Sequence, residues 1–248
     1  MEANLIAEST IEVPADIETS SEDYASRFKG PAGEWMLDRQ QRITLDLLKT
    51  SGARRVLDVG GGHGQLTGSL VRAGYDVTVH GSADICRKRI APLVDAGKCQ
   101  FVTSSFLALP FPDRSFDAVV SVRLIMHTDQ WPRLIAEMCR VARHAVLVDY
   151  PTVSGMNMLS PLLFGAKKRL EKNTRAWRNF RHTEVAEAFS AQGFHPVKRQ
   201  GQFFFPMVIH RTLQLPLLSS ALEGASGLLG LNRCWGSPVL ARFDRGGL

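Results

Sequence analysis

Four glycines, Gly60, Gly61, Gly62 and Gly64, fall within five residues in the stretch RRVLDVGGGHGQL at 54–66, with the carboxylate Asp58 just before them. Glycine permits backbone turns with positive φ, and it lets a ligand approach the main chain with no Cβ in the way. A helix that follows such a turn presents unpaired N–H groups to an anion. So many glycines exceed what a plain tight turn needs, and a ligand site is expected here. The pattern is Asp58-x-Gly60-x-Gly62-x-Gly64. A dinucleotide fingerprint would need glycine at 65 or 67, where the chain has Gln65 and Thr67, and a P-loop would need a following Gly-Lys-Ser/Thr.

Other residues with usable chemistry sit at the ends of apolar runs. Arg123 and His127 follow FDAVVSVRL, and Asp149 and Tyr150 end HAVLVDYP. His127 is the first candidate for a general base or substrate contact; the plainer reading is a helix-entry histidine with a structural bond. Arg123 is suited to an anionic group, or is a charge at a sheet edge. Tyr150 reads as a wall of the substrate pocket, and Asp149 is left open. The four cysteines, Cys86, Cys99, Cys139 and Cys234, form no C-x-x-C pair, so free thiols are expected and no metal site.

The elements that must hold these residues alternate. RRVLDVG, DVTVHG, CQFVTSS, FDAVVSVRL and HAVLVDYP are strand-like. GQLTGSLVRAG, ADICRKRIAPLVDAG, QWPRLIAEMCRVAR and HTEVAEAFSAQG are helix-like, three of them closed by glycine. A further helix is predicted over 34–50, with Trp35, Met36, Ile43, Leu47 and Leu48 mostly on one face. FHPVKRQGQFFF and SPVLARFDR supply two last strands without a usual helix between them, which suggests an antiparallel edge. The fold class is α/β: a seven-stranded, mainly parallel, Rossmann-like sheet with helices on both faces. Ligands of such sheets sit at the carboxyl ends of the strands, where the glycines lie.

Composition and charge narrow the field. The chain of 248 residues can bury a substantial core. No apolar run is long enough to span a bilayer, and the acidic opening MEANLIAEST is no secretory signal, so a cytoplasmic protein is expected, with peripheral membrane contact open. Residues 1–26 hold seven acids and neither Lys nor Arg, which leaves the remainder strongly basic. That favours an anionic partner, or serves solubility. Residues 1–22 read as a flexible acidic leader before one domain at 23–248. Two long segments, 152–182 and 206–236, read as cap insertions. The first carries Lys167, Lys168, Arg169, Lys172, Arg175, Arg178 and Arg181 interleaved with bulky apolar residues, and the second is largely apolar. Together they suit an amphipathic acceptor at a membrane surface, or are a solvated helix face plus extra core. Nucleic acid is disfavoured, since no RNA-binding module is recognisable.

VLDVGGGHG, then LPFPDRSFDAVVS at 109–121, then LIMH followed by TDQWPRLIAEMCRVAR, in this order, resemble the class I S-adenosylmethionine-dependent methyltransferases over roughly 35–200. The likeness is to the broad type 11 group that includes quinone-biosynthesis methyltransferases. It implies S-adenosyl-L-methionine as cofactor, held by Gly60, Gly61, Gly62 and Gly64 with Asp58 near its ammonium. It also implies that Tyr24 and Arg27 close the site from the N-terminal side, with Arg123 among the cofactor contacts. The resemblance places His80 where family members carry the acid for the ribose hydroxyls, and Ser105 where many carry one for the adenine amine. Histidine and serine still bond there, without a carboxylate's charge. Phe106 packs on adenine, or is a core phenylalanine. Methyl transfer is an in-line displacement that needs alignment more than acid–base chemistry. The function expected is methyl transfer to a small or lipid-like acceptor, with His127 and Tyr150 as the catalytic candidates. The alternatives are an inactive partner protein on this fold, and a nicotinamide oxidoreductase, which the incomplete glycine fingerprint disfavours.

Overall fold

The computed structural model describes residues 14–154 and 178–247. Seven strands form one sheet: β1 Arg55–Val59, β2 Asp76–Gly81, β3 Gln100–Thr103, β4 Phe116–Ser121, β5 Ala142–Tyr150, β6 Phe194–Gly201 and β7 Val239–Arg245, in the order β3-β2-β1-β4-β5-β7-β6. β1 pairs in parallel with β2 and β4, β2 with β3, and β4 with β5. β7 runs antiparallel to both neighbours. The expected antiparallel edge is present: β6 forms the edge and pairs antiparallel with β7, which lies inside the sheet. β7 is buried at Val239–Phe243, as an interior strand must be, whereas β6 is exposed between its ends.

The ten α-helices of the described residues are α1 Ala15–Thr19, α2 Glu22–Ser26, α3 Pro31–Lys49, α4 Thr67–Arg72, α5 Ala91–Asp95, α6 Trp131–Val141, α7 His182–Ser190, α8 Met207–Leu213, α9 Pro216–Leu228 and α10 Leu231–Trp235. Alternation along the strands sorts the core into two layers. Leu57, Val59, Val146, Val148 and Tyr150 join α6 and α7 on one face. Val56, Val120, Ala145 and Leu147 join α3 and α4 on the other. Burial of such side chains contributes about 1.5–3 kcal/mol each. Arg242 ties α3 to the sheet, donating to Leu47 O (2.9 Å) and Thr50 Oγ1 (2.6 Å) at the helix end, where free carbonyls favour a cation.

Three segments differ from expectation. The single helix predicted from Ala83 to Gly97 is split into a 3-10 turn, Asp84–Arg89, and the short α5, because Pro92 occupies its first turn and has no N–H to continue an earlier helix. Residues 14–22 of the expected flexible leader are instead packed: α1 is helical, and Ala15, Asp16 and Thr19 are buried. Residues 1–13 lie outside the described residues. The cap at 206–236 forms α8, α9 and α10 between β6 and β7. Most of the cap at 152–182, with Lys167, Lys168, Arg169, Lys172 and Arg175, lies outside the described residues.

The second cap is fixed by one buried acid. Glu223 accepts from Phe204 N (2.9 Å), Phe205 N (3.0 Å), His210 Nε2 (3.0 Å) and Asn232 Nδ2 (2.6 Å). Burial alone would raise its pKa, but the hydrogen bonds from His210, Phe204, Phe205 and Asn232 outweigh that and hold it below the ordinary value. His210 packs against Trp35 of α3 (5.1 Å between centroids) and so joins the cap to the body.

Candidate functional site

The glycine turn leaves β1 as a 3-10 turn, Gly61–His63, flanked by Gly60 (φ +75°) and Gly64 (φ +72°), both left-handed. Gly60 N donates to His80 O (2.9 Å), which locks the turn to the end of β2. The turn is close-packed. A Cβ on Gly60 would lie 3.0 Å from Leu124 Cδ2, one on Gly61 2.2 Å from Asp58 Oδ2, and one on Gly62 2.5 Å from Cys86 O. No other residue type fits Gly61 or Gly62 without displacing a carboxyl group or a backbone carbonyl.

Asp58 lies beneath Gly61, fully buried. Its Oδ2 accepts from Thr67 Oγ1 (3.3 Å), while its Oδ1 has no hydrogen-bond partner. Desolvation raises its pKa to about 7, only partly offset by the Thr67 bond. His63 is equally enclosed: its Nδ1 accepts from Gln65 N (3.1 Å), and burial, with the charge of Arg123, lowers its pKa to about 4, so the ring is neutral. The sequence offered no reason to single out His63.

Arg123 stands at the exit of β4 with φ +60°, a conformation that a side chain of this size rarely adopts. Its neighbours enforce it. Arg123 N donates to Asp149 Oδ1 (2.5 Å), and one guanidinium nitrogen donates to Gln40 Oε1 (2.9 Å). The guanidinium lies 4.4 Å from the Phe28 ring centroid, with Tyr24 Oη 3.4 Å from its Nη1. Its Nε is buried without a partner. Strain held this way gathers at functional sites. Asp149, left open by sequence, is thus the residue that positions Arg123. Desolvation raises its pKa to about 6 against the pull of Arg123. Gln40, from the middle of α3, was not singled out; one polar residue on a helix face gives no sequence signal.

The structure distributes the other candidates unevenly. Tyr24 is buried beside Arg123, while the Arg27 guanidinium sits over the Tyr24 ring (5.0 Å) and 3.9 Å from Glu18. His80 is buried, its Nε2 bonded to Ser104 Oγ (2.8 Å) and its ring 5.4 Å from that of Phe106. Burial lowers its pKa to about 4, so this ring too is neutral. Ser105 Oγ accepts from Leu107 N (3.2 Å) within its own loop. Phe106 is partly buried against the α6/α7 core. His127 closes a 3-10 turn, Ile125–His127, at the exit of β4. Tyr150 points to the α6/α7 face, opposite to that of Asp58 and Asp149. Its hydroxyl is 3.2 Å from His182 Nδ1, and burial pushes its pKa up to about 12. A cavity of about 340 Å³ beside it is lined by His182, Lys198 and Arg199.

Known proteins resemble this chain in sequence over its middle and in fold over most of its length. A family profile described as a methyltransferase domain matches residues 57–147, which run from β1 through the glycine turn to β5. An O-methyltransferase of Pyrenophora dematioidea is 29% identical over 112 residues, 42% of each chain. A ubiquinone/menaquinone biosynthesis C-methyltransferase of Pseudomonas aeruginosa is 28% identical over 130 residues, 48% of this chain and 50% of that one. The chain thus spans about half the length, or less, of these curated relatives. The magnesium protoporphyrin IX methyltransferase of Synechocystis, solved with bound SAH, superposes with a TM-score of 0.61 over 92% of this chain and 97% of that one at 12% identity, which establishes the fold. Residues 57–147, from β1 through the glycine turn to β5, match the methyltransferase-domain family, and the sheet around them has the Rossmann-like methyltransferase fold.

Proposed function

We propose that this protein transfers the methyl group of S-adenosylmethionine to a small amphipathic acceptor. The observation that carries the reading is the pair of buried, unsatisfied polar atoms of opposite character beside the glycine turn. Asp58 Oδ1 lacks a donor and Arg123 Nε lacks an acceptor. An amino acid moiety brings an ammonium and a carboxylate, and would complete both. The glycine turn packs directly on Asp58 and on Leu124, the neighbour of Arg123. The cofactor supplies an activated methyl on a sulfonium. The chain's part is to orient it, to exclude water and to align the acceptor. Asp58 and Arg123 orient; Asp149 and Gln40 hold Arg123; Tyr24 and Phe28 cover it. His127, at the exit of β4, is the group to take a proton from an acceptor that loses one.

The acceptor class is read from the cap. Between residues 212 and 232 the only charged residue is Glu223, which is buried. Leu217 (88% exposed), Leu228 (92%) and Leu229 (75%) face outward on or beside α9. Such an uncharged, leucine-bearing face suits an acceptor drawn from a lipid phase, and a chain that touches the membrane surface to fetch it. Among the described residues no helix is long and apolar enough to cross a membrane.

A transfer assay with labelled S-adenosylmethionine against phenols, quinols and polar lipids tests this reading. Labelled product from an apolar acceptor is the expected result. Cofactor binding without transfer to any of them would favour the inactive partner protein instead.

The pKa of Asp58 gives a further expectation. Its folded value is raised from 3.8 to about 7, so its contribution to stability is full below 3.8 and is lost as pH rises through 7. An ammonium placed beside it favours the ionised form. Cofactor binding near pH 6 should therefore release close to one proton, and above pH 8 almost none. Calorimetry in two buffers of different ionisation enthalpy measures this release, and an equal heat in both at pH 6 would contradict it.

A further inference from the structure

β2 ends without an acid, yet a carboxylate stands at its exit. Asp16, from α1, is completely buried there. Ser82 N donates to its Oδ2 (2.6 Å) and Ser82 Oγ to its Oδ1 (2.5 Å), and the Cys86 thiol donates to Oδ2 (3.3 Å). These donors lie one and five residues beyond β2. In the family resemblance this is where a strand-borne acid meets the ribose. Here that position holds His80, a neutral ring bonded to Ser104 Oγ (2.8 Å), which brings no carboxylate. An acid at that place would also repel Asp16. The missing strand acid and the docked leader acid are therefore one feature.

The rest of α1 covers the glycine turn. Ser20 Oγ is 2.8 Å from where a Cβ on Gly62 would stand, and Ala15 packs into the core cluster that contains Leu57, Val59 and Leu124. Gly61, Gly62 and His63 are buried. Both oxygens of Asp16 are engaged and none of its surface is open, so the carboxylate has no free side for a diol. The hold is local. α1 has five residues and no side-chain N-cap, and a helix that short does not persist in water without its contacts.

We propose that α1 is a latch across the cofactor site, pinned by Asp16 on Ser82 and Cys86, and that it must lift before S-adenosylmethionine can seat its adenosine half at the end of β2. The inference rests on the glycine turn being the cofactor site. A site that is open only part of the time binds with an affinity reduced by the open fraction. Releasing the latch raises the apparent affinity without any new contact to the cofactor.

The test compares the full-length protein with Asp16→Asn, titrating each with S-adenosylhomocysteine and following association by stopped flow. The latch predicts an apparent Kd lower by about tenfold in Asp16→Asn, carried mainly by faster association. Hydrogen exchange on the unaltered protein gives a readout that does not depend on a variant's folding. The amides of Ile17, Ser20 and Ser21, bonded to Pro14 O, Asp16 O and Glu18 O, should exchange faster once S-adenosylhomocysteine is added. An unchanged or higher Kd in Asp16→Asn, or slower exchange of those amides, would overturn the latch while leaving the cofactor reading standing. Absence of binding to either protein would remove the cofactor reading, and the latch with it.

Discussion

Gly61→Val is expected to abolish cofactor binding and to lower the melting temperature by about 5 °C. The Cβ of even an alanine at 61 would lie 2.2 Å from Asp58 Oδ2 and 2.3 Å from its Cγ. Either the turn moves or the carboxyl does. Asp58 is held from below by Thr67 and has no exposed surface to move into, so the turn must shift. Overpacking a dense site costs about 1–3 kcal/mol, and 1 kcal/mol moves the midpoint of a domain this size by about 2–4 °C. Binding suffers more, because the turn and Asp58 both serve it. Thermal unfolding and calorimetry on the same preparation check the two halves. Gly74→Val is the control: a Cβ there meets nothing within 4 Å, although its φ of +87° adds strain, so it should lose stability but retain binding. Full binding by Gly61→Val would show that the turn is not part of the site.

The second large effect concerns the cap. Glu223→Leu leaves four donors without their acceptor: two backbone amides, a histidine ring nitrogen and an asparagine amide. Each buried donor left unpaired costs about 1–3 kcal/mol, and removing one member of a buried charged cluster typically costs about 3–5 kcal/mol in all. The expected result is a melting temperature lower by about 10 °C. Because the folded pKa of Glu223 is depressed, its contribution is present above its ordinary pKa of 4.5 and is lost as pH falls through the folded value. The gap between the wild type and Glu223→Leu should therefore be widest near neutrality and close in acid. A gap that does not change between pH 7 and pH 3 would contradict this account of the cap.

Much of the architecture was legible because parallel strands in a covered sheet are buried on both faces and read as short apolar runs. RRVLDVG, FDAVVS and HAVLVDY needed nothing beyond that, and the glycines announced the turn because no packing argument explains four of them. What escaped was decided across the chain. The interior place of β7 depends on pairing with β5 and β6, which no local pattern encodes. Pro92 marked the break after the 3-10 turn, but the apolar spacing around it still read as one helix. Asp16 looked like one more acid in an acidic leader, because its partners are 66 and 70 residues away. Glu223 looked like an interruption in an apolar cap, and only the fold shows that it organises the cap. Arg123 was visible as a charge at a strand exit, but its φ and its hold by Asp149 were not. The departure at His80 was visible, and its meaning was not: the sequence shows an acid missing, and only the structure shows another docked beside the gap.

The central claim is that the glycine turn, with the buried atoms of Asp58 and Arg123, holds S-adenosylmethionine. One calorimetric titration of the wild-type chain and Gly60→Arg with S-adenosylhomocysteine tests it most directly. An arginine at 60 must adopt φ +75° and press on Leu124, so its side chain and the cofactor compete for one space. The account predicts a single saturable site in the wild type and no heat of binding in Gly60→Arg. Equal binding by the two proteins, or none by the wild type at millimolar ligand, would contradict it.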